Sequence, residues 1–199
     1  MRLILSDCFP TNIESQYFFM LDGIEKLPEV IVFDLDDTLW VGEVDCTGGP
    51  PFRKVRGSRH TIHCKNGSPV TLFGSVPSIF DALVDNGIRV AYASRTWTPR
   101  WAEQALESFE CGTGELSNMW SASVAQGWGD CSKTKHMNEI AISLSLKLDS
   151  MVFFDNEMRN IRDINPLGSV CGYCPDGLTD KVFIATLEKY SDTYRKHKE

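Results

Sequence analysis

The sequence predicts an α/β fold: a Rossmann-like parallel sheet with helices on both faces and a small flap as its cap. Apolar runs rich in β-branched residues occur at 30–33, 88–93 and 151–154, and such runs are typical of strands covered on both faces. Segments with helical spacing separate these runs, which indicates parallel strands joined by helices. Polar residues follow the runs directly, at the edge where sheets of this kind bind ligands.

Residues 1–29 are expected to form a helical extension outside the main domain, which spans 30–199. Thr11-Asn-Ile-Glu14 has the capping-box pattern. Apolar residues then recur at helical spacing up to Ile24. Pro28 is expected to end this helix.

Residues 41–75 predict a flap inserted after the first strand. They are rich in Gly, Pro, Arg and Lys, and they contain two short segments that an Asn66-Gly67 turn joins into a hairpin. The flap carries a basic cluster of Arg53, Lys54, Arg56 and Arg59. This cluster either attracts an anionic substrate or is an ordinary solvated loop.

The rest of the chain predicts alternating helices and strands. One helix ends at Gly87, and Thr98-Pro99 begins the next. Residues 111–131 look irregular, apart from a short strand near Met119-Trp120. A helix from Ser132 to about residue 146, a short helix after 154, a strand near 169–171 and a final helix from about 179 complete the prediction.

Composition narrows the class of protein. The chain has 199 residues, 42% of them hydrophobic, and a net charge of -7. The acidic balance argues against broad binding to nucleic acids or anionic membranes, which requires a basic surface. No apolar run approaches the roughly 18–20 residues of a membrane span, and the N-terminus lacks the features of a signal peptide. Together with seven scattered cysteines, these features predict a cytoplasmic protein with reduced thiols.

Carboxylates cluster directly after the first strand. Asp34 and Asp36 are two residues apart, so in extended geometry both face one side. Their mutual repulsion, increased by Asp37, needs a compensating positive charge, and a divalent cation with oxygen ligands is the obvious candidate. The alternative is that Asp36-Asp37-Thr38 only forms a turn.

Three further polar residues occupy equivalent places after later strands or at a helix start. Ser94 follows the second strand, Lys133 begins a helix, and Asp155 follows the strand at 151–154. Taken singly, each has an ordinary structural explanation: Ser94 as a loop serine, Lys133 as a surface lysine and Asp155 as a helix N-cap. Their common placement at one edge of the sheet favours a shared site.

The order of these residues resembles the four-motif signature of the haloacid dehalogenase superfamily, and in particular its magnesium-dependent (acid) phosphatase branch. The matching segments lie between about 30 and 180, and they are Phe33–Trp40, Val44-Asp45 with Pro50-Pro51-Phe52, Ala93-Ser-Arg-Thr96, Ser132–His136 and Phe153–Asn160. The resemblance implies a phosphoric monoester hydrolase that uses Mg²⁺ and an aspartyl-phosphate intermediate.

The resemblance also implies a role for each motif residue. Asp34 is the nucleophile, and Asp36, with a raised pKa, is the general acid and base. Ser94 and Lys133 stabilise the phosphoryl oxygens. The expected metal ligands are Asp34, the Asp36 backbone carbonyl and Asp155. Thr38 and Arg95 are expected on the substrate side, where Thr38 orients the loop.

One position departs from the family pattern, because Asn156 stands where the branch has a second acidic residue. The lost negative charge predicts weaker magnesium binding with the chemistry retained.

Lys135 competes with Lys133 for the third motif, but a lysine at the helix start lies where the backbone already favours phosphate.

The substrate is expected to be a phosphorylated small molecule or a phosphoprotein, since a short flap leaves the site open. The resemblance implies phosphotyrosine or sugar phosphates. Three alternatives are a phosphatase for phosphoserine in a disordered tail, a phosphate-binding scaffold without catalysis, and a phosphotransferase. The oligomeric state stays open.

Overall fold

A computed structural model describes residues 20–113 and 117–196, which form ten β-strands and five α-helices. The strands are β1 (Val30–Phe33), β2 (Arg53–Lys54), β3 (Thr61–His63), β4 (Pro69–Thr71), β5 (Val90–Ser94), β6 (Glu110–Cys111), β7 (Ser117–Asn118), β8 (Ser123–Trp128), β9 (Met151–Asp155) and β10 (Val170–Tyr173). The helices are α1 (Val76–Asp85), α2 (Pro99–Ser108), α3 (Lys133–Leu144), α4 (Met158–Ile164) and α5 (Asp180–Lys196).

Five strands form a central sheet in the order β10-β9-β1-β5-β8, and every neighbouring pair is parallel. β1 lies in the middle, where Val32 is opposite Ala91 of β5 and Phe153 of β9. Because all five strands run in one direction, their carboxyl ends lie along one edge of the sheet. The predicted parallel sheet is confirmed.

Helices cover both faces of this sheet. Successive side chains of a strand point to opposite faces, so Ile31 and Phe33 pack with α1, α2 and α5, whereas Val30 and Val32 pack with α3 and α4. The Phe33 ring stacks on Phe154 of β9 with centroids 5.3 Å apart. All four side chains of β1 are fully buried, which explains its continuous apolar sequence.

The sequence prediction missed one strand in the segment 111–131, which is β8 at the edge of the central sheet. The short strand expected near Met119-Trp120 corresponds to β7 directly before them, while Met119 and Trp120 themselves lie in a turn. β8 carries Gln126 and Gly127 and has few fully buried side chains. A strand with one neighbour needs no continuous apolar run, so the pattern that revealed the central strands is missing here.

The predicted N-terminal helix falls largely on residues 1–19, which lie outside the described residues. Its last part is not helical, because residues 20–23 form a turn and 24–28 have no regular structure. Leu21, Ile24 and Leu27 nevertheless pack against the main core. Their spacing therefore reflects burial in an irregular segment.

The predicted flap consists of the antiparallel sheet β2-β3-β4, and the β3–β4 hairpin confirms the Asn66-Gly67 turn. Ile62 and Val70 are buried in the main core, so the hairpin packs on the domain. Its backbone also bonds to the segment after β1, since Val41 N donates to Thr71 O at 2.9 Å and Phe73 N to Leu39 O at 3.0 Å. The division into an extension, a domain and an insertion stays a prediction.

Two members of the basic cluster pair with acidic residues. Arg59 donates to both oxygens of buried Asp81 on α1, at 2.9 and 2.6 Å. Lys54 donates to Glu110 at 2.6 Å. Neither basic residue lines the cavity described below. For these two residues the structure therefore favours a role in holding the flap.

None of the helices in the described residues combines the length and apolar composition needed to cross a bilayer. The predicted helix start at Ser132 is confirmed, because its side chain accepts a hydrogen bond from Lys135 N at 3.2 Å. α3 ends at Leu144, two residues earlier than expected.

Candidate active site

A cavity of about 360 Å³ lies at the carboxyl ends of β1, β5 and β9. This cavity is lined by most of the residues predicted to form the site, namely Asp34, Asp36, Ser94 and Arg95. Lys133 and Asp155 lie directly behind them, in contact with Asp34 or with each other. The sheet topology thus brings together residues that are up to 121 positions apart in the sequence, Asp34 and Asp155.

Asp34 is held by a buried lysine. The Lys133 ammonium donates to one Asp34 oxygen and to the Ala93 carbonyl, and it lies 3.5 Å from an Asp155 oxygen. Lys133 is 2% exposed, so its charge acts on this cluster with little screening. Lys135, the alternative candidate, is exposed and pairs with Glu139. The structure places Lys133 in the site.

The position of Lys133 depends on a close contact between β8 and α3. His136 Nε2 lies 3.1 Å from the Gly129 carbonyl oxygen, in the loop before Lys133. A Cβ on Gly127 would lie 2.7 Å from the His136 Cβ, so only glycine permits this approach. Burial and the neighbouring Lys133 lower the pKa of His136, which favours the neutral ring.

Thr38 holds the second oxygen of Asp34. Its Oγ1 lies 3.2 Å from Asp34 Oδ2, and it accepts a bond from Asn156 N at 3.0 Å. The Thr38 carbonyl in turn accepts from Leu178 N at 2.9 Å. Thr38 is fully buried and is not part of the cavity lining. This geometry supports an orienting role for Thr38 more than contact with a substrate.

Asp36 has the raised pKa that its proposed role requires. Burial is the main cause, and it raises the pKa to about 7 although hydrogen bonds from Val44 N and Trp40 Nε1 lower it. Both donors reach the same oxygen at 2.8 Å. Asp36 lines the cavity. Near neutral pH this carboxyl can both donate and accept a proton.

Asp155 is a buried carboxylate fixed by its own segment. Asn160 Nδ2 lies 2.9 Å from both of its oxygens, and Glu157 N donates to Oδ1 at 2.7 Å. Burial, and then the charge of Asp34, raise the pKa of Asp155 to about 6, while Lys133 opposes this shift. Two buried acids beside one lysine leave negative charge uncompensated.

The donor set at this place fits magnesium. Asp34 and Asp155 offer carboxylate oxygens, which a hard divalent cation prefers. The uncompensated negative charge of these two side chains also favours a cation. Asn156 lines the same cavity and offers a neutral oxygen, in agreement with the reduced charge noted from the sequence.

Ser94 and Arg95 follow β5 at the same edge. Ser94 Oγ accepts a bond from Thr96 N at 3.2 Å, which leaves its own proton free for another acceptor. Arg95 lines the cavity and pairs with Glu157. Glu157 also accepts from Arg159 at 3.0 and 3.1 Å, so a single carboxylate holds two guanidinium groups at the cavity mouth.

Sequence reasoning assigned no role to Glu157, Arg159 or Asn160, although they stand in the matched motif Phe153–Asn160. Asn160 Nδ2 also lies 2.9 Å from Glu157 Oε2, which links the Arg95 pair to Asp155. The three-residue spacing of Glu157 and Asn160 at a helix start was the available signal. Two tryptophans stand beside the motifs in the sequence; Trp97 lines the cavity, whereas Trp40 is fully buried.

Comparison with known proteins agrees with this site. Residues 26–193 match the family described as acid phosphatase. The chain is 33% identical to human magnesium-dependent phosphatase 1 over 171 residues, which is 86% of this chain and 89% of that protein. It is 31% identical to a HAD-like hydrolase superfamily protein of Schizosaccharomyces pombe over 151 residues, 75% of this chain and 86% of that one.

A solved structure shows the same fold. It is the N-terminal part of a Bacteroides fragilis protein that contains a phosphatase domain complexed with Mg, with a TM-score of 0.56 and 16% identity. The match covers 89% of this chain and 43% of that one. With the family match and the human relative, the chain belongs to the acid phosphatase family and is a magnesium-dependent phosphatase of the haloacid dehalogenase superfamily.

Proposed function

We propose that the chain hydrolyses phosphomonoesters through a phosphoryl group carried on Asp34. The observation that supports this most is the pairing of two acids with different environments in one cavity. Asp34 is bound by the Lys133 ammonium, whereas burial raises the pKa of Asp36 to about 7. An ionised nucleophile beside a protonated acid is what transfer of a phosphoryl group to a carboxylate requires.

In the first step, an Asp34 oxygen attacks phosphorus and the bond from phosphorus to the leaving oxygen breaks. Asp36 gives its proton to that oxygen, so the product leaves as a neutral alcohol or phenol. Lys133 and the Ser94 hydroxyl donate to the phosphoryl oxygens, where negative charge spreads in the transition state.

In the second step, Asp36 is ionised and accepts a proton from a water molecule, which attacks phosphorus. The bond between Asp34 and phosphorus breaks, and inorganic phosphate is released. Asp36 regains its proton and Asp34 its charge, so the site returns to its starting state.

Mg²⁺ would be held by Asp34, the Asp36 backbone carbonyl and Asp155, and when bound it offsets the repulsion between a carboxylate and an anionic phosphate. Arg95 would contact the substrate after exchanging its Glu157 partner for a substrate oxygen. Its guanidinium suits this exchange because it has five donors in a planar arrangement.

The substrates we propose are phosphotyrosine or sugar phosphates, on a small molecule or a phosphoprotein. The open cavity mouth supports this range, since polar and charged side chains reach it from the segments after β1, β5, β8 and β9. We also propose a cytoplasmic location, which the free thiols of all six described cysteines support. Microscopy of a tagged full-length chain tests the location.

The mechanism is tested by hydrolysis of phenyl phosphate, with Mg²⁺ or with a chelator. Asp34→Asn is expected to lower turnover by about a thousandfold or more, and the chelator is expected to abolish turnover in the wild type. Asp192→Asn is the matched control, because Asp192 is exposed on α5 and does not line the cavity.

Equal turnover by wild type and Asp34→Asn would remove Asp34 as nucleophile. No turnover by a folded, magnesium-loaded wild type would favour the phosphate-binding scaffold instead. Analysis of the products with an added sugar acceptor separates hydrolysis from phosphotransfer, since a transferase would give a phosphorylated sugar in place of inorganic phosphate.

A further inference from the structure

Trp97 is unlike every other residue of the cavity lining. Among the described residues that line the cavity it alone carries an apolar ring, and the others are charged or polar. Its side chain is 76% exposed. A large indole surface in contact with water is unfavourable, and at the mouth of an active site it is available to the organic part of a substrate.

The backbone that carries Trp97 is well fixed. Trp97 N donates to Asp45 Oδ2 at 3.2 Å, and Thr96 Oγ1 lies 3.5 Å from the same oxygen. Thr98 N donates to Thr96 Oγ1 at 3.2 Å, just before α2 begins. The indole is therefore attached to an ordered loop three residues after Ser94, and an ordered contact loses less entropy on binding.

An aromatic ring on the phosphate suits the Trp97 side chain, because it stacks directly on indole without needing a hydrogen-bond partner.

We infer that Trp97 is a specificity-determining residue that stacks on the aromatic ring of an aryl phosphate. This inference rests on the proposed phosphate site of the same cavity, and it assigns recognition of an aryl leaving group to Trp97. The phosphoryl group lies toward Ser94 and Lys133, and the ring it is attached to extends to the indole at the mouth.

The experiment is a calorimetric titration of the magnesium-loaded protein with phenylphosphonate and with methylphosphonate. Both carry the same head group and neither is hydrolysed, so only the ring differs. Wild type is expected to bind phenylphosphonate about three- to tenfold more tightly than methylphosphonate. Trp97→Ala is expected to remove this preference, Trp97→Phe to retain most of it, and methylphosphonate affinity to stay the same in both.

Ile142→Ala is the matched control, since Ile142 is 78% exposed on α3 and does not line the cavity. It is expected to leave both affinities unchanged. An equal loss of both phosphonates in Trp97→Ala, or a wild type without preference for the phenyl ligand, would overturn the inference. Because no bond is cleaved in this titration, its result is independent of whether Asp34→Asn abolishes hydrolysis.

Discussion

At the scale of single residues, Asp36 shows how opposing effects set the pKa of a carboxyl group in the site. Burial disfavours the charged carboxylate, while the two donors on one oxygen favour it. The effect of burial is larger than that of the two hydrogen bonds, so the pKa of Asp36 rises to about 7. The same carboxyl can then act as an acid in one step and as a base in the next at neutral pH.

Trp40→Phe is expected to move the descending limb of kcat/KM to higher pH. In wild type this limb should have its midpoint near pH 7, because activity requires protonated Asp36. The Trp40 N–H bond of 2.8 Å favours the ionised form, so its loss raises the pKa further, by roughly one unit. The pH profile of aryl phosphate hydrolysis measures the shift.

Trp120→Phe serves as the control for this profile, since Trp120 stacks on Trp128 and does not line the cavity. Its profile should coincide with that of wild type. A Trp40→Phe profile that also coincides with wild type would show that Asp36 does not determine the descending limb.

At the scale of elements, the segment from the end of β9 to α4 carries much of the site. Asp155 ends the strand, and the helix that follows turns Asn160 back onto it, with 2.9 Å to each carboxylate oxygen. Hydrogen bonds of this kind orient a metal-binding carboxylate. One short segment thus supplies a predicted ligand and the group that positions it.

Asn160→Ala is expected to weaken magnesium binding by roughly tenfold or more, because buried Asp155 loses a donor that favours its ionised form. The magnesium concentration for half-maximal turnover, together with calorimetric binding of Mg²⁺, measures this effect. Asn165→Ala, an exposed position after α4, provides the comparison. Unchanged magnesium affinity in Asn160→Ala would show that the backbone alone fixes Asp155.

The flap is an element whose basic residues have unequal roles in stability. Arg59→Ala would leave buried Asp81 without its charged partner, so we expect the free energy of unfolding to fall by about 1–3 kcal/mol. Lys54→Ala breaks an exposed pair and should cost about 0–1 kcal/mol. Urea denaturation measures both.

Neither flap variant is expected to change KM, because neither residue lines the cavity. A rise in KM for Lys54→Ala at unchanged stability would instead support the alternative in which the basic cluster attracts the substrate.

At the scale of the whole molecule, the fold collects acids that would repel one another without a cation. Asp155 has a pKa of about 6 in the folded chain, against an ordinary value of 3.8. A raised carboxyl pKa means that the folded state binds the proton more tightly than the unfolded chain does. Its contribution to stability is therefore complete below pH 3.8 and is lost as the pH rises through about 6.

Magnesium is therefore expected to raise the melting temperature more at pH 7.5 than at pH 5. Near pH 5 most Asp155 is protonated and competes with the metal, whereas above about pH 6 it is ionised and free to bind. Thermal denaturation with and without Mg²⁺ at both pH values measures this. Asp155→Asn should lose most of the shift, and an equal shift at both pH values in wild type would argue against Asp155 as a ligand.

The sequence by itself determined the central strands and the residues that follow them. Strands buried on both faces require continuous apolar runs, and the carboxyl ends of parallel strands meet at one edge. Asp34, Ser94 and Asp155 were therefore predictable as neighbours from local patterns. β8 was missed, because an edge strand is only partly covered and shows no such run.

Only the tertiary structure decided which groups touch and how strongly they are buried. It placed Lys133 on Asp34, gave Asp36 its high pKa, and bonded Glu157 to both Arg95 and Arg159. It also separated Trp40, inside the core, from Trp97, at the cavity mouth. Burial and partner choice depend on segments that are distant in the chain, so no local pattern of residues could have specified them.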